Sequence, residues 1–254
     1  FIVGNVEGEL ALAGIGATTS IYNLFVTVIT GFTSGLSVLT AQQYGMGRRK
    51  EIGAILSSYT ILLGVCFGVI SIAGALLTNW ILLILDTPAN IFSSAEGYLK
   101  ILFAGIPFLA VYNTFSAVLR GIGDSKAPFF AVLVSSGANV ILDLVFVAGL
   151  GYGAAGAAAA TVIAQAAMAL FVIGYGMKKY SILRQGFLGK QKTGVVRKGT
   201  MFGLPPAVQS GASSVGNVFL QRFMNGFGEQ TVAAITTAYR VDTVIFLPII
   251  NFGS

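Results

Sequence analysis

Apolar residues in this chain run in long blocks, and charged residues fall between the blocks. No Asp, Glu, Lys or Arg occurs between Glu9 and Arg48, Glu51 and Asp86, Lys100 and Arg120, or Lys198 and Arg222. A helix crosses the hydrocarbon core with about 20 mostly apolar residues. The blocks therefore predict membrane-spanning helices at 12–40, 53–83, 91–119, 127–148, 154–177, 201–224 and 231–252. The interval from Lys126 to Lys178 holds a single charge, Asp143, and is long enough for two spans. Gly149-Leu150-Gly151-Tyr152-Gly153 divides it as a turn. The first two blocks exceed the minimum, which implies tilt or projecting ends. Phe1-Ile2-Val3 reads as the tail of an earlier helix, and the chain stops at Ser254 in or just after an apolar block. The sequence thus reads as an internal piece of a longer protein.

Composition agrees with the blocks. Only 9% of residues are charged and 55% are hydrophobic, against roughly 25% charged in a soluble domain. A soluble enzyme and a disordered chain are both excluded. There is no histidine and one cysteine, Cys66, so His-based catalysis, most zinc sites and disulfides are excluded too. Cys66 is expected to be buried and inert. The glycine-rich 149–156 segment follows no strand and lacks a phosphate-loop lysine, and no nucleophile–base pair is visible. The expectation is a non-enzyme without a cofactor.

The net charge of +6 is read as topology. Lys and Arg collect in cytoplasmic loops. With the 41–51 loop inside, alternation places Arg48, Arg49, Lys50, Arg120, Lys126, Lys178, Lys179, Arg184, Lys190, Lys192, Arg197 and Lys198 inside, twelve of the 15 basic residues. The outer loops carry Glu7, Glu9, Asp86 and Glu229. Nucleic acid is not an expected partner; the lipid bilayer is. The 180–199 stretch is read as a basic cytoplasmic loop between residues 1–179 and 200–254.

Transporters are often built from duplicated halves. Gly8-Glu9-Leu10-Ala11-Leu12-Ala13-Gly14-Ile15 echoes Gly228-Glu229-Gln230-Thr231-Val232-Ala233-Ala234-Ile235, six predicted helices later and in the same orientation. This suggests a parallel repeat of six-helix units.

Asp143 is the most informative residue. A carboxylate in a span costs roughly 2.5–3.5 kcal/mol on insertion scales, so it needs a partner, water, a cation or a proton. Asn139 lies four residues earlier on the same helix face. At about 1.5 Å per residue, Asn139, Asp143 and Thr161 of the next helix reach one level in the outer half of the bundle. Their oxygens suit a hard cation or a shared proton. The alternative is an interfacial aspartate held by a structural hydrogen bond. Pro107 and Pro248 are candidate hinges or static bends. Gln165, Asn217 and Gln221 line a substrate path or join helices. Tyr22, Tyr112 and Phe115 contact an aromatic cation or pack. Arg240 and Asp242, two apart, each need a partner on another helix. Gly31-Phe32-Thr33-Ser34-Gly35 reads as close helix packing.

In order and spacing, several motifs resemble the multidrug and toxic compound extrusion (MATE) family. They are Val3-Gly4 with Glu9 to Gly16, Ala41-Gln42-Gln43-Tyr44-Gly45-Met46-Gly47, Leu119-Arg120-Gly121-Ile122-Gly123-Asp124-Ser125-Lys126, Asn139-Val140-Ile141-Leu142-Asp143, Gly156 to Thr161, and Gly203-Leu204-Pro205. The resemblance implies an all-α polytopic membrane protein of twelve helices in two six-helix lobes. This chain would hold the tail of helix one through helix eight. It further implies export of organic cations or amphiphiles by proton or sodium antiport, in the plasma membrane, as a monomer when complete. Asn139, Asp143 and Thr161 match the family's first-lobe cation site, whose helix-one aspartate would precede Phe1. A lipid-linked oligosaccharide flippase is the alternative, although its pyrophosphate cargo calls for basic charge that the spans largely lack.

Overall fold

A computed structural model describes residues 9–85, 87, 89–187 and 193–225. The 231–252 span, the second copy of the repeat, Pro248, Arg240 and Asp242 lie outside the described residues, as do the side chains of Asn217 and Gln221.

All regular structure among the described residues is helical. Five long helices, α1 (Glu9–Gly45), α2 (Arg49–Leu76), α4 (Ala89–Gly121), α5 (Lys126–Asp143) and α6 (Gly153–Lys179), make up most of it. Short helices α3 (Thr78–Ile84) and α7 (Ser181–Phe187) flank them, and α8 (Thr193–Asn225) follows. A π-helical segment, Leu144–Gly149, continues α5. Five stretches are long and apolar enough to span a membrane: Thr18–Gly45, Arg49–Leu76, Ile91–Gly121, Lys126–Gly149 and Gly153–Lys179. They match the first five predicted spans. The chain divides into two compact units, residues 1–211 and 212–254.

The elements depart from the charge-gap reading in several places. The predicted 53–83 span breaks at Leu77, where the backbone leaves the helix (φ −90°, ψ 4°). The Thr78 hydroxyl and the Leu77 N–H both turn back to close α2, on Gly74 O and Ala73 O (2.8 Å each). The 41–51 loop shrinks to the turn at Met46–Arg48, because α1 runs on through Gly45. The 178–198 connection is not all loop, since α7 and the first turn of α8 fall within it. The 201–224 segment is helical as part of α8 but is not among the spans apolar enough to cross. Cys66 is exposed, not buried. It shares the outward face of α2 with Val65, Val69 and Ile72.

Helix α4 is the centre of the first unit and packs on α1, α2 and α6. Its most apolar window is 72% buried, against 17% for α5, so it has no polar face to turn outward. Pro107 sits inside α4 without ending it. A proline removes one N–H and frees the carbonyl four residues earlier, here Phe103 O. The Ser71 hydroxyl of α2 donates to that carbonyl at 2.5 Å. The Phe103 ring fills the space over Gly74 and meets Phe25 of α1 edge-on at 5.6 Å.

The Gly31–Gly35 segment packs closely, as expected, and its partner is α8. A methyl group on Gly31 would stand 2.6 Å from Pro206 O, and one on Gly203 2.8 Å from Phe32 O. Gly35 faces Phe202 O, the carbonyl freed by Pro206. Small residues let two backbones approach in this way. Nearby, the Tyr59 hydroxyl of α2 donates to Val196 O and lies 3.1 Å from Thr200 Oγ1.

Candidate functional site

The candidate site lies between α5 and α6. The Ser135 hydroxyl donates to Ala164 O at 2.9 Å, which sets the register of this antiparallel pair. Stepping forward on α5 and back on α6, Asn139 comes level with Ala160 and Thr161, and Asp143 with Gly156 and Ala157. Thr161 therefore stands beside Asn139, with Asp143 about one turn further out. The Asp143 Oδ1 and Asn139 Nδ2 atoms are buried without a hydrogen-bond partner. The Thr161 hydroxyl donates to Ala157 O at 2.9 Å, which leaves its oxygen able to accept or to ligate. A buried, unpartnered polar atom costs of order 1–3 kcal/mol; a cation or proton would satisfy Asp143 Oδ1, whereas Asn139 Nδ2 is a donor and needs an acceptor.

Asp143 is the last α-helical residue before the π segment. In that segment the Leu150 N–H reaches back five residues to Val145 O at 2.9 Å. The extra residue per turn re-aims the side chains that follow, and such segments often adjoin functional positions. Gly151 (φ +67°) and Gly153 (φ +55°) then reverse the chain into α6, in the turn expected at 149–153.

The structure also brings in Tyr98 of α4, which the sequence reading missed. Its half-buried ring packs against Val147 and Ala157. One turn inward from Thr161, Gln165 is buried and its Nε2 donates to the Tyr22 hydroxyl of α1. Tyr112 and Phe115 are buried elsewhere in α4; the Tyr112 hydroxyl donates to Pro128 O at 3.3 Å.

A second polar cluster closes the opposite end of the bundle. Asp124 is 7% exposed. Its Oδ2 accepts from Tyr180 (2.8 Å), Tyr175 (3.0 Å) and Lys179 (3.0 Å), and its Oδ1 from the Ala127 N–H (3.3 Å) at the start of α5. Burial pushes this carboxyl up, but the bonds from Tyr180, Lys179, Ala127 and Tyr175 outweigh it and hold it at about 2. Gly123, at φ +89°, makes the turn that delivers it. The Leu119–Lys126 motif is thus a helix-joining device.

A bundle of long apolar helices with a carboxylate facing its interior is the architecture of a multi-pass membrane protein. The MatE family model matches residues 1–145, more than half of the chain, and the chain belongs to that family. It is 29% identical over 263 residues to the probable multidrug resistance protein YoeA of Bacillus subtilis (strain 168), covering 99% of this chain and 56% of that protein. It is 24% identical over 243 residues to the multidrug export protein MepA of Staphylococcus aureus (strain MRSA252), covering 95% and 54%. The chain therefore spans about half the length of these curated relatives. Its fold matches a crystal structure of MATE in the bent conformation, with a TM-score of 0.87 at 24% identity over 98% of this chain and 56% of that one.

Proposed function

We propose that this chain is the first lobe, and the opening of the second, of a cation-coupled antiporter that exports small amphiphilic or cationic organic molecules by alternating access. The observation that carries this reading is the buried, unpartnered Asp143 Oδ1, about one turn from Asn139 and Thr161. Its membership of the MatE family and its similarity to multidrug resistance and export proteins support the direction of transport. Asp143 holds the coupling ion, a proton or sodium, with Asn139 and Thr161 as neutral partners. The protein lies in the plasma membrane as a monomer, with its basic loops in the cytoplasm and the 180–199 segment joining the lobes.

Coupling requires that binding of one ligand change the affinity for the other. Asp143→Asn preserves shape but removes the charge that exchanges the cation. In the complete transporter, with expression matched, it abolishes efflux driven by an imposed proton or sodium gradient and leaves part of the substrate binding. Thr161→Ala weakens coupling less. Wild-type efflux in Asp143→Asn would place the coupling carboxylate elsewhere. Headgroup turnover in place of drug efflux would favour the flippase.

A further inference from the structure

We propose that Tyr59 of α2 is a latch that holds the inner end of α8 against the first lobe, and that its hydroxyl biases the transporter toward the form closed to the cytoplasm. The inference rests on the two-lobe, alternating-access reading and the topology just given. Tyr59 lies where three helices meet and is fully buried. Its ring meets that of Phe32 of α1 at 5.8 Å. It also lies over Gly199 of α8, where a methyl group would run into ring carbon Cε2. The hydroxyl donates to Val196 O and stands 3.1 Å from Thr200 Oγ1. Val196, Gly199 and Thr200 fall within one helical turn, so ring and hydroxyl together hold a single turn of α8.

That turn opens a long seam. Beyond it Gly203 lies against the Phe32 ring, Gly35 faces Phe202 O, Gly31 faces Pro206 O, and Gly211 faces Val28. As α8 advances from Phe202 to Gly211, its contacts on α1 retreat from Gly35 to Val28, so the two helices run antiparallel. From Val196 to Gly211 the seam is about 22 Å long. Residues 193–211 accordingly belong to one compact unit with the chain before them. The two-lobe reading places α8 in the second lobe, which makes this seam a joint between lobes. The topology starts α8 on the cytoplasmic side, so Tyr59 holds the end of the seam that an inward opening must part. The bonds of its hydroxyl to α8 exist only while that end is closed. A contact made in one state alone shifts the balance by its own strength, which for a neutral hydrogen bond exchanged with water is a factor of roughly two to twelve.

The test uses the complete transporter with Cys66 and any other native cysteine replaced. Spin labels go on cysteines at Lys50 and Lys198, exposed residues near the starts of α2 and α8. Pulsed electron spin resonance reads the distance between them, and the ratio of long to short distances reports inner opening. Tyr59→Phe keeps the ring and removes only the hydroxyl. Thr200→Val keeps the shape and removes one of the hydroxyl's two partners. Tyr59→Phe is expected to raise the ratio by roughly two- to twelvefold, and Thr200→Val by less. The double variant moves it no further than Tyr59→Phe, because the two residues share one interaction. The same ratio is followed across pH and sodium concentration and with ethidium, an amphiphilic organic cation.

An unchanged or lowered ratio in Tyr59→Phe overturns the proposal even if Tm falls, because a bond that served packing alone would cost stability without moving the balance. Additive shifts in the double variant overturn it too. If a single distance persists in every variant and condition, the alternating-access reading falls and the latch falls with it. If ethidium, pH or sodium shifts the ratio while Tyr59→Phe does not, only the latch is lost.

Discussion

Replacing Asp124 with asparagine isolates the charge in the cluster that joins α4, α5 and α6. Asparagine is about as good a helix cap as aspartate, so the bond from the Ala127 N–H (3.3 Å) survives. What disappears is the anion that gathers Tyr175, Lys179 and Tyr180. The folded carboxyl titrates at about 2, against about 3.9 for an unperturbed aspartate. At ~1.4 kcal/mol per tenfold change in proton affinity, the charge contributes about 2.6 kcal/mol. Since the folded value lies below the unfolded one, this contribution is complete above roughly pH 5 and fades as pH falls toward 2. In a chain this long it amounts to ~5–10 °C in Tm on the scale of soluble domains. Thermal unfolding of the complete transporter and its Asp124→Asn variant in detergent, from pH 7 to pH 3, reads it directly. The expected result is a gap at pH 7 that narrows below pH 4. A gap under ~0.5 kcal/mol at pH 7, or one that stays constant to pH 3, would refute the reasoning.

Other features make sharper local predictions. Ser71→Ala should cost about 1 kcal/mol by orphaning Phe103 O; Pro107→Ala, which supplies an N–H to the same carbonyl, should cancel that cost in thermal unfolding of the double variant. Gly35→Val should part α1 from α8, and the disulfide yield between cysteines at Val28 and Gly211 should fall in a Cys66→Ser background; Gly211 lies so close that a methyl group there would stand 3.3 Å from Val28 Cγ2. In the same background, a cysteine at Ser181 should react with a membrane-impermeant maleimide only from the cytoplasm and one at Tyr152 only from outside; labelling of both from one side would overturn the topology.

The long spans were legible because excluding charge from lipid is a compositional constraint that needs no knowledge of neighbours. The break at Leu77 was not, since Ala75-Leu76-Leu77-Thr78 contains no glycine, proline or charge to mark it. The bonds that close α2 there are local, but a helix would use the same groups equally well. Asp143, Asn139 and Thr161 stood out as polar residues in apolar surroundings; helix rise alone set all three at one level, whereas the pairing of α5 with α6 puts Asp143 about one turn beyond the other two. Tyr98 did not stand out, because a tyrosine near the end of a span also suits the membrane interface. The link between Tyr22 and Gln165 joins residues 143 positions apart. Each was visible as a polar group in a span, but only packing shows that they meet. Cys66 was misjudged because cysteine is usually buried in soluble proteins, whereas a lipid-facing surface accepts it equally well.

The crossing of α1 and α8 brings main chain against main chain. Gly31, Gly35 and Gly203 press against Pro206 O, Phe202 O and Phe32 O, with the Ser210 hydroxyl and the Phe32 ring beside them. A contact between side chains can be adjusted in small steps, one methylene at a time. Here the smallest available step is a whole Cβ set well inside van der Waals distance of a carbonyl. Variation at this seam is therefore abrupt: a substitution either leaves the glycines alone or separates the helices. Sequence drift is expected to stop short of these three positions.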